Sequence, residues 1–274
     1  METFLIFFLS VFFSAFGTVV GFGGGIFVVP VLILFFNVPI NIAVGSVMIA
    51  LFPGAFISTL FNHKNNKIDY KAGILLEIPT IIGTVLGSFL TSVIPLFSFK
   101  IIFAVFIGYI GIYTFRKGKK KGVINKNGIM FKLNSIGPRI IQKSKFGAYR
   151  ISMITASFFG SGAGLMAGLF GIGGGFLKTP IMVNVFKMPP SVAAATALFM
   201  IVFTSATGSV SHYLIGHIDF MFALPIILGF ITGAFIGNKL NLNISEKTLA
   251  KLIGFGLLLA AAAVLTDTLF IKRG

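Results

Sequence analysis

An all-α, polytopic membrane fold built from two similar halves is what this sequence predicts, and three observations predict it. Residues 21–87 reappear without a gap 150 positions later, the chain is apolar almost throughout, and glycines interrupt its apolar runs at equivalent places in both halves. Hydrophobic residues make up 56% of the 274 and charged residues only 10%, with a mean hydropathy of +1.02. Gly21-Phe22-Gly23-Gly24-Gly25 returns as Gly171-Ile172-Gly173-Gly174-Gly175. Pro30 returns as Pro180, Pro39 as Pro189, Ala43 as Ala193, Ile68-Asp69 as Ile218-Asp219, and Gly83 and Gly87 as Gly233 and Gly237. Glycine and proline constrain the backbone itself, so a shared pattern of them implies a shared chain path and not merely a shared composition.

The apolar segments follow in order: 3–20, 25–36, 40–61, 72–92 and 98–115, then 150–170, 175–186, 191–214, 220–238 and 248–270. Crossing a bilayer as helix takes about 20 apolar residues. The second segment of each set is too short: about 12 residues make about 18 Å of helix against a hydrocarbon core of about 30 Å. Residues 25–36 and 175–186 are therefore predicted as half-helices, either re-entrant or parts of broken helices. The first segment is kept as a membrane segment, since its n-region carries Glu2 in place of a basic residue and no small-residue cleavage site follows. Asp69 and Asp219 each precede an apolar run and read as helix N-caps. The predicted units are an N-terminal transmembrane repeat over 1–115, a basic cytoplasmic loop over 116–149 and a C-terminal transmembrane repeat over 150–274.

Charge sets the expected topology. The net charge is +16, but half of the 22 basic residues fall between Arg116 and Arg150, as suits a cytoplasmic loop. With that loop inside, the turn near Lys64, Lys67 and Lys71 is inside as well. Five segments per repeat then put the uncharged turn over 214–219 outside and Lys239, Lys247 and Lys251 inside, so the halves are expected to be inverted. Lys272 and Arg273 at the C-terminus disagree with this count. The protein is expected in the cytoplasmic (inner) cell membrane, among lipids. A nucleic-acid partner is not expected, because phosphate binding needs basic residues spread over a folded face. The absence of cysteine excludes disulfides and thiolate metal sites, and His63, His212 and His217 are too scattered to suggest a metal. No cofactor is expected.

Two like halves with glycine-interrupted apolar segments are the pattern in which secondary transporters hold a site between repeats. Backbone unwound inside a bilayer is tolerated where it lines a cavity or is buried in protein. Gly23, Gly24 and Gly25, and their equivalents Gly173, Gly174 and Gly175, each precede a half-helix whose N-terminus carries about half a positive charge. The paired breaks are therefore candidate seats for a small oxyanion; the competing reading is that the glycines only permit close helix packing. Lys178 has Val28 as its repeat counterpart, and two readings stand for it: a charge that attracts the anion, or a lysine that snorkels to the interface. The equivalent hydroxyls Ser46 and Thr196, and the equivalent pair Asn62 and His212, complete the candidate substrate set. Hydroxyls inside helices more commonly bond back to their own carbonyls. Glu77 lies inside a span, has no acidic partner in the other repeat, and is a candidate proton carrier. No nucleophile with a base, no paired carboxylates and no metal cluster appear at workable spacing, so an enzyme is not expected.

Gly-Ile-Gly-Gly-Gly-Phe-Leu-Lys-Thr-Pro from 171, Ser-Val-Ala-Ala-Ala-Thr-Ala from 191, and Gly-His-Ile-Asp at 216–219 with the Ala-Leu-Pro and Gly-xxx-Gly that follow resemble the TauE/SafE sulfite-exporter family, also called the toluene-sulfonate uptake permeases. The resemblance spans roughly 10–115 and 160–268. It implies an integral permease for sulfite or small organosulfonates, exporting in some members and importing in others. The reading taken from it and the repeats is a carrier working by alternating access around a midplane site, with H⁺ and Na⁺ both open as coupling ion because the sequence selects neither. The first repeat departs from the pattern at Pro53 and at Asn62-His63-Lys64-Asn65-Asn66, and the basic central insert is longer than the pattern requires. The rival reading is a flippase for a lipid-linked phosphate, or a scaffold that binds acidic headgroups through the basic loop.

Overall fold

The computed structural model of the chain describes residues 2–117, 137–144, 147–240, 246–266 and 268–269. The first half contains α1 (Glu2–Val20), α2 (Gly25–Phe35), α3 (Ile40–Lys64), α4 (Tyr70–Val93) and α5 (Leu96–Lys117). A hairpin of β1 (Arg139–Ser144) and β2 (Gly147–Ser152) follows. The second half contains α6 (Met153–Phe170), α7 (Gly175–Asn184), α8 (Pro190–Leu214), α9 (Phe220–Lys239) and α10 (Glu246–Thr266). The offset of 150 survives in the backbone. Helices α3 and α8 span equivalent residues, Pro39 and Pro189 stand before them, and the equivalent turn residues Asn37 and Lys187 are both left-handed, at φ 51° and 61°.

Helices α1, α3, α4, α6, α8 and α9 are long and apolar enough to cross a membrane. The half-helices have 11 and 10 residues, about 16 Å each, as their sequence predicts. Asp69 and Asp219 cap α4 and α9 as expected: Asp69 accepts from the Ala72 N–H at 3.0 Å and Asp219 from the Met221 N–H at 2.8 Å. Helices α5 and α10, of 22 and 21 residues, cover the segment expected over 98–115 and, as far as Thr266, that expected over 248–270.

Small residues decide the packing, because apolar side chains gain little by leaving lipid for one another and close backbone approach does the work instead. Helix α4 lies beside α6 in the same direction: a Cβ on Gly160 would stand 2.7 Å from the Leu76 carbonyl, one on Gly164 2.0 Å from that of Thr80, and one on Gly168 2.1 Å from that of Thr84. Helix α1 lies beside α9 in the same way. Gly229 meets Ser10, Gly233 meets Ser14 and Gly237 meets Thr18. Each half thus lends its first helix to the fourth helix of the other. The equivalent helices α5 and α10 run antiparallel, with Gly108 facing Ala261 and Gly111 facing Gly254 and Leu258.

The segment expected as a plain loop over 116–149 differs in its described parts. Helix α5 runs on to Lys117, and the hairpin pairs Arg139 with Ser152 and Ser144 with Gly147. Tyr149 and Ile151 are buried while Arg150 is exposed, the period-two pattern of a strand with one covered face. Lys119, Lys120, Lys121, Lys126, Lys132 and Lys145 lie outside the described residues.

Candidate functional site

The two glycine breaks meet back to back inside the protein. Gly24 and Gly174 precede α2 and α7 in the left-handed region, at φ 95° and 71°, a conformation that glycine adopts without strain. A Cβ on Gly25 would stand 3.1 Å from the Gly171 carbonyl, and one on Gly175 would stand 2.8 Å from that of Gly21. The Thr179 hydroxyl donates to the Gly21 carbonyl at 3.2 Å, tying α7 to the opposite break. Leu51 and Ile201, which are repeat equivalents, both pack against Gly23 and Gly173. Phe27 stacks on Phe13 and Phe176 packs edge-on to Phe106, so aromatic rings brace both half-helices. All six candidate glycines, Gly23, Gly24, Gly25, Gly173, Gly174 and Gly175, are buried.

Lys178 does not snorkel. It is 2% exposed, and its Nζ donates to Glu77 Oε2 at 2.8 Å and to Thr204 Oγ1. The Thr204 hydroxyl in turn donates to Glu77 Oε1, so Thr204 bridges both charges. The lysine stem runs back along α7, and a Cβ on Gly174 would stand 3.3 Å from Lys178 Cε. Three elements build this group: α4 from the first half, α7 and α8 from the second. Their repeat counterparts, Ile227, Val28 and Gly54, carry no charge or hydroxyl.

The other candidates are held by the protein itself. The Ser46 hydroxyl donates to the Asp219 carbonyl at 3.3 Å, and Thr196 Oγ1 accepts from the Asp69 N–H at 3.0 Å. Each equivalent hydroxyl thereby fastens the N-cap of the other half. Asn62 donates to the Ser58 carbonyl at 2.8 Å. His212 is buried, with Nε2 2.9 Å from the Gly168 carbonyl and Nδ1 3.2 Å from His217 Nδ1. A carbonyl only accepts, so His212 donates from Nε2, and its neutral ring then accepts at Nδ1 from His217. His217 Nε2 is left to accept from the Ser92 hydroxyl at 3.4 Å. Burial lowers the pKa of His217, which lies in the turn after α8.

Sequence reasoning did not single out Thr204 or Tyr149. Thr204 has a glycine for its counterpart, so the repeat carried no signal for it. Tyr149 donates from its hydroxyl to Asp69 Oδ2, docking the hairpin on the N-cap of α4; burial first and Asp69 second raise its pKa. The described residues hold no group of three or more His, Cys, Asp or Glu suited to a metal ion.

Residues 6–264 match the family model described as "Sulfite exporter TauE/SafE". The chain is 31% identical to the "Probable membrane transporter protein YunE" of Bacillus subtilis (strain 168) over 268 residues, 93% of this chain and 94% of that protein. It is 29% identical to the "Probable membrane transporter protein MJ0441" of Methanocaldococcus jannaschii, over 85% of this chain and 84% of that one. "Sulfite exporter TauE/SafE family protein 1" of Arabidopsis thaliana is 34% identical over 113 residues, 39% of this chain and 24% of its own length. No solved structure gives a significant match.

Proposed function

The chain belongs to the TauE/SafE sulfite exporter family of membrane transporters, and from that premise and the site geometry we propose that it carries a small sulfur oxyanion, sulfite or an organosulfonate, across the cell membrane. The carrying observation is that the two glycine breaks abut and that a buried lysine runs beside one of them. The first N–H groups of α2 and α7 have no acceptor within their own helices, and each helix start carries partial positive charge. Gly24, Gly25 and Gly173 to Gly175 are the candidate backbone donors, whereas the Gly23 N–H already donates to the Gly17 carbonyl at 3.1 Å and only shapes the break. Lys178 adds a full charge at Gly174. Ser46 and Thr196 fasten the N-caps at Asp219 and Asp69, and the equivalents Asn62 and His212 lie at the far ends of α3 and α8, so these four stand back from the seat.

The halves are inverted and exchange access to the seat by rocking on each other. Antiparallel packing of α5 on α10 supports this, since equivalent helices that run oppositely are related by a twofold axis lying in the membrane plane. The link from α3 to α4, five residues reaching about 18 Å at most, makes these helices run oppositely. Helix α3 runs alongside α9, with Ser46 at Asp219 and Gly54 at Phe230, so α3 and its equivalent α8, which precedes α9 by an equally short link, run oppositely too. The contact of Tyr149 with Asp69, which joins the hairpin to the α3 to α4 turn, and the lysines at 64, 67 and 71 beside that turn support a cytoplasmic side for both.

Purified protein in liposomes is expected to accumulate radiolabelled sulfite or methanesulfonate under an imposed pH, sodium or voltage gradient. Absence of flux under all three gradients, with movement of a labelled anionic lipid instead, overturns the reading in favour of a flippase.

A further inference from the structure

We propose that Glu77 is the proton carrier of this transporter and that it and the substrate anion compete for Lys178. The inference rests on the anion reading above and adds the coupling ion and its residue. Glu77 and Lys178 come from different halves, on α4 and on the half-helix α7, and meet at 2.8 Å with side chains 5% and 1% exposed. Removing one partner of a buried pair leaves an uncompensated charge, which is strongly disfavoured. The rest state is neutral, one ammonium and one carboxylate. An anion that reaches Lys178 would make the site net negative unless Glu77 takes a proton.

With that proton the balance closes. The proton comes from solution to a Glu77 carboxylate oxygen, the Lys178 N–H donor turns from Glu77 Oε2 to an oxygen of the anion, and the site is again one ammonium and one monoanion. Thr204 permits the exchange, because its hydroxyl lies 3.2 Å from the Met200 carbonyl and donates there once the carboxyl is neutral. A sodium ion is the poorer fit: beside Glu77 it meets an ammonium that repels it and a single hydroxyl.

Other charges stand apart. Helix α6, packed along α4, contains no titratable residue, and α8 offers only Thr204 here, with His212 at its far end. Asp69, Tyr70, Lys71 and the docked Tyr149 lie at the start of α4, about two helical turns from Glu77. His217 meets α4 at Ser92, about four turns away on the other side. Because the counterparts are Ile227 and Val28, the pair is not duplicated in the other repeat.

Calorimetry with sulfite and methanesulfonate tests this. Methanesulfonate remains a monoanion throughout, so any pH dependence belongs to the protein. In the wild type, one proton is expected to be taken up per methanesulfonate bound, read from buffers of different ionisation heat. Affinity is expected to fall about tenfold per pH unit once the carboxyl is ionised in the free protein. Glu77→Gln is expected to bind the anion with no proton uptake and a flat pH profile, and the double variant Glu77→Gln/Lys178→Met, which has no unpaired charge, to fold and not bind. Wild-type binding without proton uptake, a pH slope that persists in Glu77→Gln, or wild-type affinity in the double variant each overturns the inference. If neither anion binds the wild type at any pH, the anion reading itself fails, and this inference with it.

Discussion

Leu51 and Ile201, separated by 150 residues and equivalent in the two halves, pack against the same two glycines, Gly23 and Gly173. Both are fully buried. The pair forms the apolar floor on which both breaks rest, so its members are expected to act together. Leu51→Ala and Ile201→Ala should each cost about 2–4 kcal/mol as large-to-small core changes. The double variant should fall short of the sum, since residues with shared neighbours couple. Thermal unfolding of the detergent-solubilised variants gives the cycle; strict additivity would show two independent sites.

Gly24 and Gly174 are expected to part company on substitution. The sequence presents the two as repeat equivalents. The structure differs at Gly24, where a Cβ would lie 2.6 Å from the Phe13 carbonyl of α1, a backbone atom with no room to yield. At Gly174 the nearest atoms are 3.2 Å away. Gly174→Ala is expected to fold with a penalty of about 1 kcal/mol for its positive φ and to lose anion affinity. Gly24→Ala is expected to misfold. Size-exclusion profiles followed by calorimetry distinguish the two, and wild-type affinity in folded Gly174→Ala would remove that glycine from the seat.

The seam of α4 and α6 offers an internal control. Gly164→Ala would place a methyl 2.0 Å from the Thr80 carbonyl, whereas Gly162→Ala meets nothing within 4 Å. The first is expected to lower the melting temperature by several degrees or prevent folding. The second is expected to stabilise the helix slightly, by up to about 1 kcal/mol, through the better propensity of alanine.

Acid sensitivity is expected to trace in part to His217. Burial lowers its folded pKa, so the unfolded chain takes its proton first as pH falls. The stability this group contributes is present above about pH 6.5, its unfolded value, and is lost progressively below it. Melting temperatures compared at pH 7.5 and at about pH 5.5 should therefore drop less in His217→Gln than in the wild type. An equal drop in both would assign the sensitivity elsewhere.

What the sequence determined by itself is local and repeated. Glycine, proline and N-capping aspartate act on the backbone within a few residues. Their recurrence therefore displayed the half-helices, the caps of α4 and α9 and the doubling of the fold before any contact was known. The strands at 139–152 were less legible, because a short hairpin inside a basic segment has only Tyr149 and Ile151 to mark its covered face. The tertiary structure alone decided what meets what. The Glu77 to Lys178 pair joins positions 101 residues apart, in opposite halves, and Thr204 completes it from a third helix. No periodicity couples such residues, and the repeat obscured them, because their counterparts Ile227, Val28 and Gly54 are apolar or bare. Ser46 and Thr196 make the converse case. Their equivalence was visible in the sequence, but their attachment to the caps at Asp219 and Asp69 arises only when the two halves pack, since each hydroxyl finds its partner on the other half.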